Sequence, residues 1–456
     1  MYAKNAWNKY ENNQYRDVMD FNEGYKSFLT LGKTERACVK ESVKLAKAAG
    51  FQDIQNFQSL KAGDKFYVVN KDKNLALFIM GEKPVIEGMR ILGAHIDSPR
   101  LDLKQNPLYE SDGFALLDTH YYGGVKKYQW VTIPLSLYGV MIKKDGTQVD
   151  VVIGEDENDP VVGITDLLIH LSADQLQKTA AKVIEGENLD VTLGSIPLND
   201  NEKDAVKANV LKILKDKYDI EEEDFLSAEI EVVPSGPARD YGLDRSMVMG
   251  YGHDDRVCAY TSLKAILDIK DIPQYTSCCI LVDKEEIGSV GATGAQSLFF
   301  ENTIAEILHL CGDDKFLSVR KALANSMMLS SDVSAGFDPL YKDVNDHKNA
   351  AYLGKGIVFN KYTGARGKSG SNDANPEYFA KIRNVMDHAN IHFQTAELGK
   401  VDQGGGGTIA YILGNYDMNV IDAGIAVLNM HAPWEIVSKV DVYETYLAYQ
   451  QFLIQM

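Results

Sequence analysis

The chain reads as an α/β protein: a mostly parallel, doubly wound sheet forming one domain, with an inserted β-rich domain. Three observations predict this. Apolar runs of strand length alternate with segments that are apolar at helical spacing, the pattern of a parallel sheet covered on both faces. That rhythm stops near Leu101 and resumes after Pro237. Several of the apolar runs end in acids or histidines, where open α/β sheets bind their ligands, beyond the carboxyl ends of the strands. A length of 456 residues suits two domains. Their expected bounds are 1–100 plus 238–456 for the sheet domain and 101–237 for the insert.

Taken in order, Phe21 to Leu31 predicts a helix, and Thr34 can cap a second one that runs to Gly50. Phe66 to Val69 and Leu75 to Met80, around a polar turn, predict a hairpin. Met89 to Ala94 predicts a strand that delivers His95. In the insert, Trp130 to Tyr138 and Val149 to Ile153 are strand-like, and Asn201 to Glu223 is a charged helical stretch. After Pro237, Val257 to Ile269 is helical in spacing. Ser277 to Val282, Asn325 to Leu329, Ala351 to Phe359 and Val420 to Leu428 are apolar runs bounded by turn residues.

Bulk properties narrow the function classes. Lys and Arg number 47 against 65 Asp and Glu, a net charge of −18 that disfavours nucleic acid as a partner. No apolar run reaches membrane-spanning length, and the polar N-terminus lacks a signal-peptide pattern, so a cytoplasmic protein without a membrane partner is expected. Five cysteines without a CxxC pair predict reduced, mostly buried thiols and neither a cysteine zinc cluster nor a redox dithiol.

Five sites carry metal-ligand residue types. His95 and Asp97 lie two apart on an extended segment and share a face, so the carboxylate can fix the imidazole tautomer. Asp254 and Asp255 open a helix, Glu285 and Glu286 follow one strand, Asp332 follows another, and His431 follows a third. Singly, each has an ordinary explanation as a cap, a turn or a solvated face. Together, two histidines and three carboxylates with a spare glutamate match the needs of two first-row metal ions, one carboxylate bridging and the spare glutamate serving as base.

The ordered set His95-Ile-Asp-Ser-Pro-Arg-Leu-Asp-Leu-Lys104, Gly252-His-Asp-Asp-Arg256, Val282-Asp-Lys-Glu-Glu-Ile-Gly-Ser289, Ser330-Ser-Asp-Val-Ser-Ala-Gly336 and Met430-His-Ala-Pro-Trp-Glu435 resembles the aspartyl aminopeptidase-like metallopeptidases, in a bacterial form. The resemblance covers nearly the whole chain, the insert's position included. It implies that His95 and Asp332 bind one Zn2+, that Glu286 and His431 bind the other, and that Asp254 bridges them; Co2+ or Mn2+ are possible substitutes. It also implies Glu285 as general base, Asp97 as the residue that orients His95, and removal of N-terminal residues from short peptides.

Asp166-Leu-Leu-Ile-His170-Leu resembles the family segment whose histidine reaches into a neighbouring subunit's active site. This implies an oligomerising insert and a dodecameric shell; a core histidine is the alternative. The chain departs from the aspartyl-specific pattern after Asp332, where Ser334-Ala-Gly-Phe337 stands in place of histidines. A preference for acidic N-terminal residues therefore stays open beside a neutral or broader one, with Lys355, Lys361 and Arg366 as candidate acid receptors.

Gly364-Ala-Arg-Gly-Lys-Ser369 lacks the first glycine of a phosphate loop, which falls at Tyr362. Gly404 and Gly405, in a run of four glycines, could instead bring backbone N–H groups to substrate, or form a surface turn. Other enzyme readings are a two-metal deacylase or carboxypeptidase, which would share the ligands and differ in the pocket. A non-catalytic shell protein is disfavoured because every ligand and the base are present.

Overall fold

Local chemistry sets the element ends. Thr34 Oγ1 accepts the Ala37 N–H at 3.2 Å and starts the helix Glu35–Ala48, and Gly50, at φ +88°, follows its end. The preceding helix spans Asn12–Leu31 and so begins earlier than its apolar face suggests. The computed structural model describes residues 4–199 and 203–456. In it the chain forms two compact units: Met1–Asp97, Ala238–Met430 and Glu435–Met456 in one, and Ser98–Pro237 with His431–Trp434 in the other.

The first unit is built on a nine-stranded sheet, in the spatial order Gln52–Asp53, Lys65–Asn70, Asn74–Ile79, Thr276–Val282, Met89–His95, Met327–Ser330, Asn419–Gly424, Ile357–Asn360, Phe393–Thr395. The four central strands, from Thr276–Val282 to Asn419–Gly424, run parallel, as their buried, near-continuous apolar runs predict. Antiparallel pairings appear only toward the edges, at the Lys65–Asn70/Asn74–Ile79 hairpin, where that hairpin joins Thr276–Val282, and where Ile357–Asn360 meets Asn419–Gly424.

Alternate residues face opposite sides of the sheet. Leu92, Ala94 and Cys279 join one core with Val257, Leu263, Tyr449 and Phe452 of the helices His253–Leu267 and Lys439–Gln455. Ile91, Cys278 and Met328 join the other with Ile304 and Leu323. Cys38, Cys258, Cys278 and Cys279 are buried thiols, and Cys311 is exposed.

Two apolar runs behave differently from their sequence reading. Ala351 to Phe359 forms a strand only over Ile357–Asn360. Val420 to Leu428 is two strands: Asn419–Gly424 belongs to the large sheet, and Ala426–Leu428 joins a separate five-stranded sheet with Arg239–Tyr241, Met247–Gly250, Glu435–Ser438 and Ser334–Ala335. Both halves are almost fully buried, so hydropathy carries no mark of the break. Gly424 sits at the turn-over point, where a Cβ would lie 1.8 Å from the Asp332 carbonyl oxygen.

The second unit is a six-stranded antiparallel sheet, ordered Gln148–Ile153, Leu135–Ile142, Ala228–Pro234, Arg100–Ser111, Phe114–Tyr122, Val191–Gly194. Its second strand in that order begins at Leu135; Trp130 is fully buried without being in a strand, which is why apolarity alone extends the segment too far. The charged helix covers Ala205–Tyr218 and stops at Asp219, in the left-handed conformation; Asn201 and Glu202 lie outside the described residues. Among the described residues, no helix is long and apolar enough to cross a membrane.

Candidate metal centre

Parallel pairing in register brings the chemistry to one edge of the large sheet. Val282 lies opposite His95, and Ser330 opposite Gly93, so the chain that follows each strand emerges at the same end. Glu285 and Glu286 follow the first strand, Asp97 the second and Asp332 the third. Asp254 arrives from the five-stranded sheet, just ahead of the regular part of the helix His253–Leu267, at a residue whose φ/ψ are not helical.

His95 is the hub. It is 2% exposed, and its Nδ1 lies 3.0 Å from the Asp97 carbonyl oxygen and 3.2 Å from Asp97 Oδ1. A carbonyl can only accept, so Nδ1 carries a proton and Nε2 points the other way, to Asp254 Oδ1 at 3.1 Å and Glu285 Oε2 at 4.0 Å. Ligand-type atoms of His95, Asp254 and Asp332 lie within 4.8 Å of one another, as do those of His95, Glu285 and Glu286, and a carboxylate oxygen of Asp254 lies equally close to one of Glu286.

The electrostatics of this cluster ask for a cation. Burial raises Asp332 well above the usual carboxylate range, and the negative charges of Asp255, Glu285 and Asp254 raise it further against the pull of His95. Burial by itself lowers the His95 imidazole, but hydrogen bonds to Asp254 and Asp97 overcome this and raise it. The site thus gathers more negative charge than a low-dielectric pocket tolerates alone. Imidazole nitrogen plus carboxylate oxygen is a donor set suited to zinc, and the acids that hold a proton on Nε2 would equally hold a divalent ion there. The residues fit the group.

His431 lies in the second unit, with Ala432 to Trp434. Its Nδ1 is 3.0 Å from the Gly124 carbonyl oxygen, which fixes the proton on Nδ1 and the lone pair on Nε2. His170 sits in a single exposed turn, Ile169–Leu171, flanked by exposed Leu167, Leu168, Ile169 and Leu171, so the core-histidine alternative is excluded.

Gly404 and Gly405 pack backbone on backbone: a Cβ would lie 1.6 Å from the Leu398 carbonyl oxygen at Gly404 and 2.4 Å from Gly364 O at Gly405. Their lack of a side chain is thus used first for loop packing. Gly404 also lines a cavity of about 350 Å³ with Tyr362, Arg366, Lys368, Glu397 and Lys400. Lys361 and Lys368 both pair with Asp373. Phe337 stacks on Tyr352 at 4.9 Å between centroids and meets His347 edge-on at 4.9 Å.

Sequence reasoning assigned no role to several residues around Asp254. His253 Nδ1 hydrogen-bonds the Tyr25 hydroxyl, and burial lowers the ring to a pKa of about 3. Arg256 Nε donates to the Ile96 carbonyl at 3.1 Å, and Glu435 Oε2 accepts the Asp254 N–H at 3.0 Å. Glu435 stands in the same motif as His431, but an acid that binds a backbone N–H leaves no spacing to read.

Comparison with known proteins agrees with this chemistry. The family model described as aminopeptidase I zinc metalloprotease (M18) matches residues 28–453. A probable M18 family aminopeptidase 1 of Clostridium acetobutylicum is 61% identical over 455 residues, 99% of this chain and 98% of that protein. The crystal structure of aminopeptidase I from C. acetobutylicum superposes with a TM-score of 0.93 at 59% identity, covering 99% of each chain. That of an M18-family aminopeptidase from Thermotoga maritima superposes with a TM-score of 0.96 at 44% identity, covering 100% of each. The chain belongs to the M18 family of zinc metalloproteases and is a zinc-dependent aminopeptidase.

Proposed function

We propose that this aminopeptidase removes the N-terminal residue of short peptides at a two-zinc centre, with His95 and Asp332 holding one ion, Glu286 and His431 the other, and Asp254 shared between them. The observation that carries the reading is the convergence of His95, Asp254, Asp332, Glu285 and Glu286 at one sheet edge, around a histidine whose Nε2 faces Asp254 and Glu285. When bound, such ions supply a water of lowered pKa and polarise the scissile carbonyl.

The chain's own residues do the rest. Glu285 takes the proton of the attacking water and returns it to the leaving amine as the C–N bond breaks. Asp97 holds His95 in the tautomer that presents Nε2. Zinc is the resident metal in this reading, and Co2+ or Mn2+ are substitutes the same donors accept.

Specificity is proposed to extend beyond acidic N-terminal residues. Ser334 to Phe337 replace the histidines of the aspartyl-specific pattern, and Phe337 is packed among aromatic rings. The antiparallel unit is proposed as the oligomerisation domain. Its exposed strip at Leu167, Leu168, Ile169 and Leu171 packs on a second copy and takes His170 to the neighbour's active site, in a homo-oligomer that the family resemblance makes a dodecamer.

A panel of aminoacyl chromogenic substrates, run with and without chelator, tests the function. Chelator-sensitive release from free N-termini, with neutral residues accepted, is the expected result. Release of C-terminal residues from test peptides would instead favour the carboxypeptidase reading, and cleavage of N-acylated substrates the deacylase.

A further inference from the structure

The proposed shared ligand, Asp254, has a fixed point that lies outside the metal-binding set. Strand Glu435–Ser438 pairs antiparallel with Met247–Gly250, and Glu435 is directly opposite Gly250. From Gly250 the chain turns through Gly252, in the left-handed conformation at φ +76°, and doubles back. That reversal brings the Asp254 N–H to Glu435 Oε2, at 3.0 Å, with the two residues 4% and 1% exposed. A carboxylate buried to that degree is costly unless its oxygens are engaged, and a backbone N–H is a fixed donor for one of them.

Two neighbouring contacts show that the whole segment is fastened. His253 is tied to Tyr25 and Arg256 to the Ile96 carbonyl, within the His95–Asp97 segment. Glu435 holds the backbone N–H of Asp254 itself. A shared carboxylate must direct its oxygens at two positions at once, so a small rotation about its Cα displaces both. Metal sites tolerate only about 0.5 Å of such play before they loosen.

We propose that Glu435 is a positioning residue: by holding the Asp254 backbone, it sets the zinc affinity of both ion positions without touching either ion. The inference rests on the two-zinc reading. What matters is where the acceptor oxygen lies, not the charge it bears.

The test compares Glu435→Gln with Glu435→Asp in the full-length chain. Gln keeps an acceptor at the same reach and loses the charge; Asp keeps the charge and withdraws the acceptor by one methylene. Zinc binding is read by competition with a chromogenic chelator, and the fold of the zinc-free chains by circular dichroism. Glu435→Asp is expected to weaken zinc binding about 10- to 100-fold, as loss of an outer partner does. Its zinc-free fold should be unchanged, its activity should return as zinc is raised, and Glu435→Gln should bind zinc like the parent.

Parent-like zinc binding by Glu435→Asp would overturn the proposal. So would a loss in Glu435→Gln equal to that in Glu435→Asp, which would point to charge. A zinc-free Glu435→Asp that has lost its helical signal would show a purely structural role. A parent chain that takes up no zinc would remove the metal centre itself, a separate failure from unmoved variants of a zinc-loaded parent.

Discussion

Asp97 accepts the backbone N–H of Glu285 on Oδ1 at 3.1 Å, so the carboxylate that lies 3.2 Å from His95 Nδ1 also holds the turn that carries Glu285. Its other oxygen takes the Glu286 N–H, also at 3.1 Å. One buried carboxylate thus couples His95 to both glutamates. Asp97→Asn replaces one acceptor by an amide that opposes an N–H donor. It is expected to weaken zinc binding about 10- to 100-fold and to lower kcat/KM with it. Chelator competition checks this; unchanged zinc affinity would leave Asp97 with no role beyond the turn.

Glu285→Gln separates the proposed base from the proposed metal ligands. Zinc content should stay at the parent value while kcat falls by about 10²- to 10⁴-fold, the usual contribution of a positioned acid–base group. Elemental analysis and steady-state kinetics on one preparation decide it. Near-normal turnover would move the base elsewhere.

His170→Ala should lower kcat/KM and leave zinc content unchanged, because the side chain is proposed to act on a neighbour's site. If it does, mixing dissociated His170→Ala with Glu285→Gln chains and allowing reassembly should recover part of the activity that neither variant shows alone. Absence of recovery from reassembled mixed oligomers would argue against composite sites.

Asp422, opposite Ser330 in the large sheet, offers a test of the fold's electrostatics. Burial pushes its carboxyl up to about 6, against a hydrogen bond from the Thr408 hydroxyl. The folded chain therefore holds this proton at pH values where the unfolded chain, at an ordinary 3.8, has released it. The contribution to stability is complete below pH 4 and is lost as the pH rises through 6, roughly 3 kcal/mol in all. Asp422→Asn should abolish that slope, so the parent's stability advantage over the variant should shrink between pH 4 and 7 in denaturant titrations. A difference independent of pH would contradict it.

Much of this was legible in the residues. The central strands announce themselves because a strand buried on both faces must be apolar throughout, and His95, Glu286 and Asp332, three of the proposed ligands, stand at or just past the ends of those strands. His95 and Asp97 were readable as a pair because alternation in an extended segment places them on one side. The split of Val420 to Leu428 was not legible, since both halves are buried and a change of sheet leaves no trace in hydropathy. Trp130 misled for a related reason: burial is not strand formation. Glu435 was invisible as a partner of Asp254 because the contact joins a side chain to a backbone N–H 181 residues away in sequence, across a strand pairing that only the fold defines.

Counting zinc in the parent and in Asp254→Ala bears most closely on a pair of ions held by one shared carboxylate. The parent should carry two zinc ions per chain, and Asp254→Ala should lose both positions together while keeping its fold. An Asp254→Ala chain that still binds two ions, or a parent that never binds more than one, would rule out a pair of ions sharing Asp254.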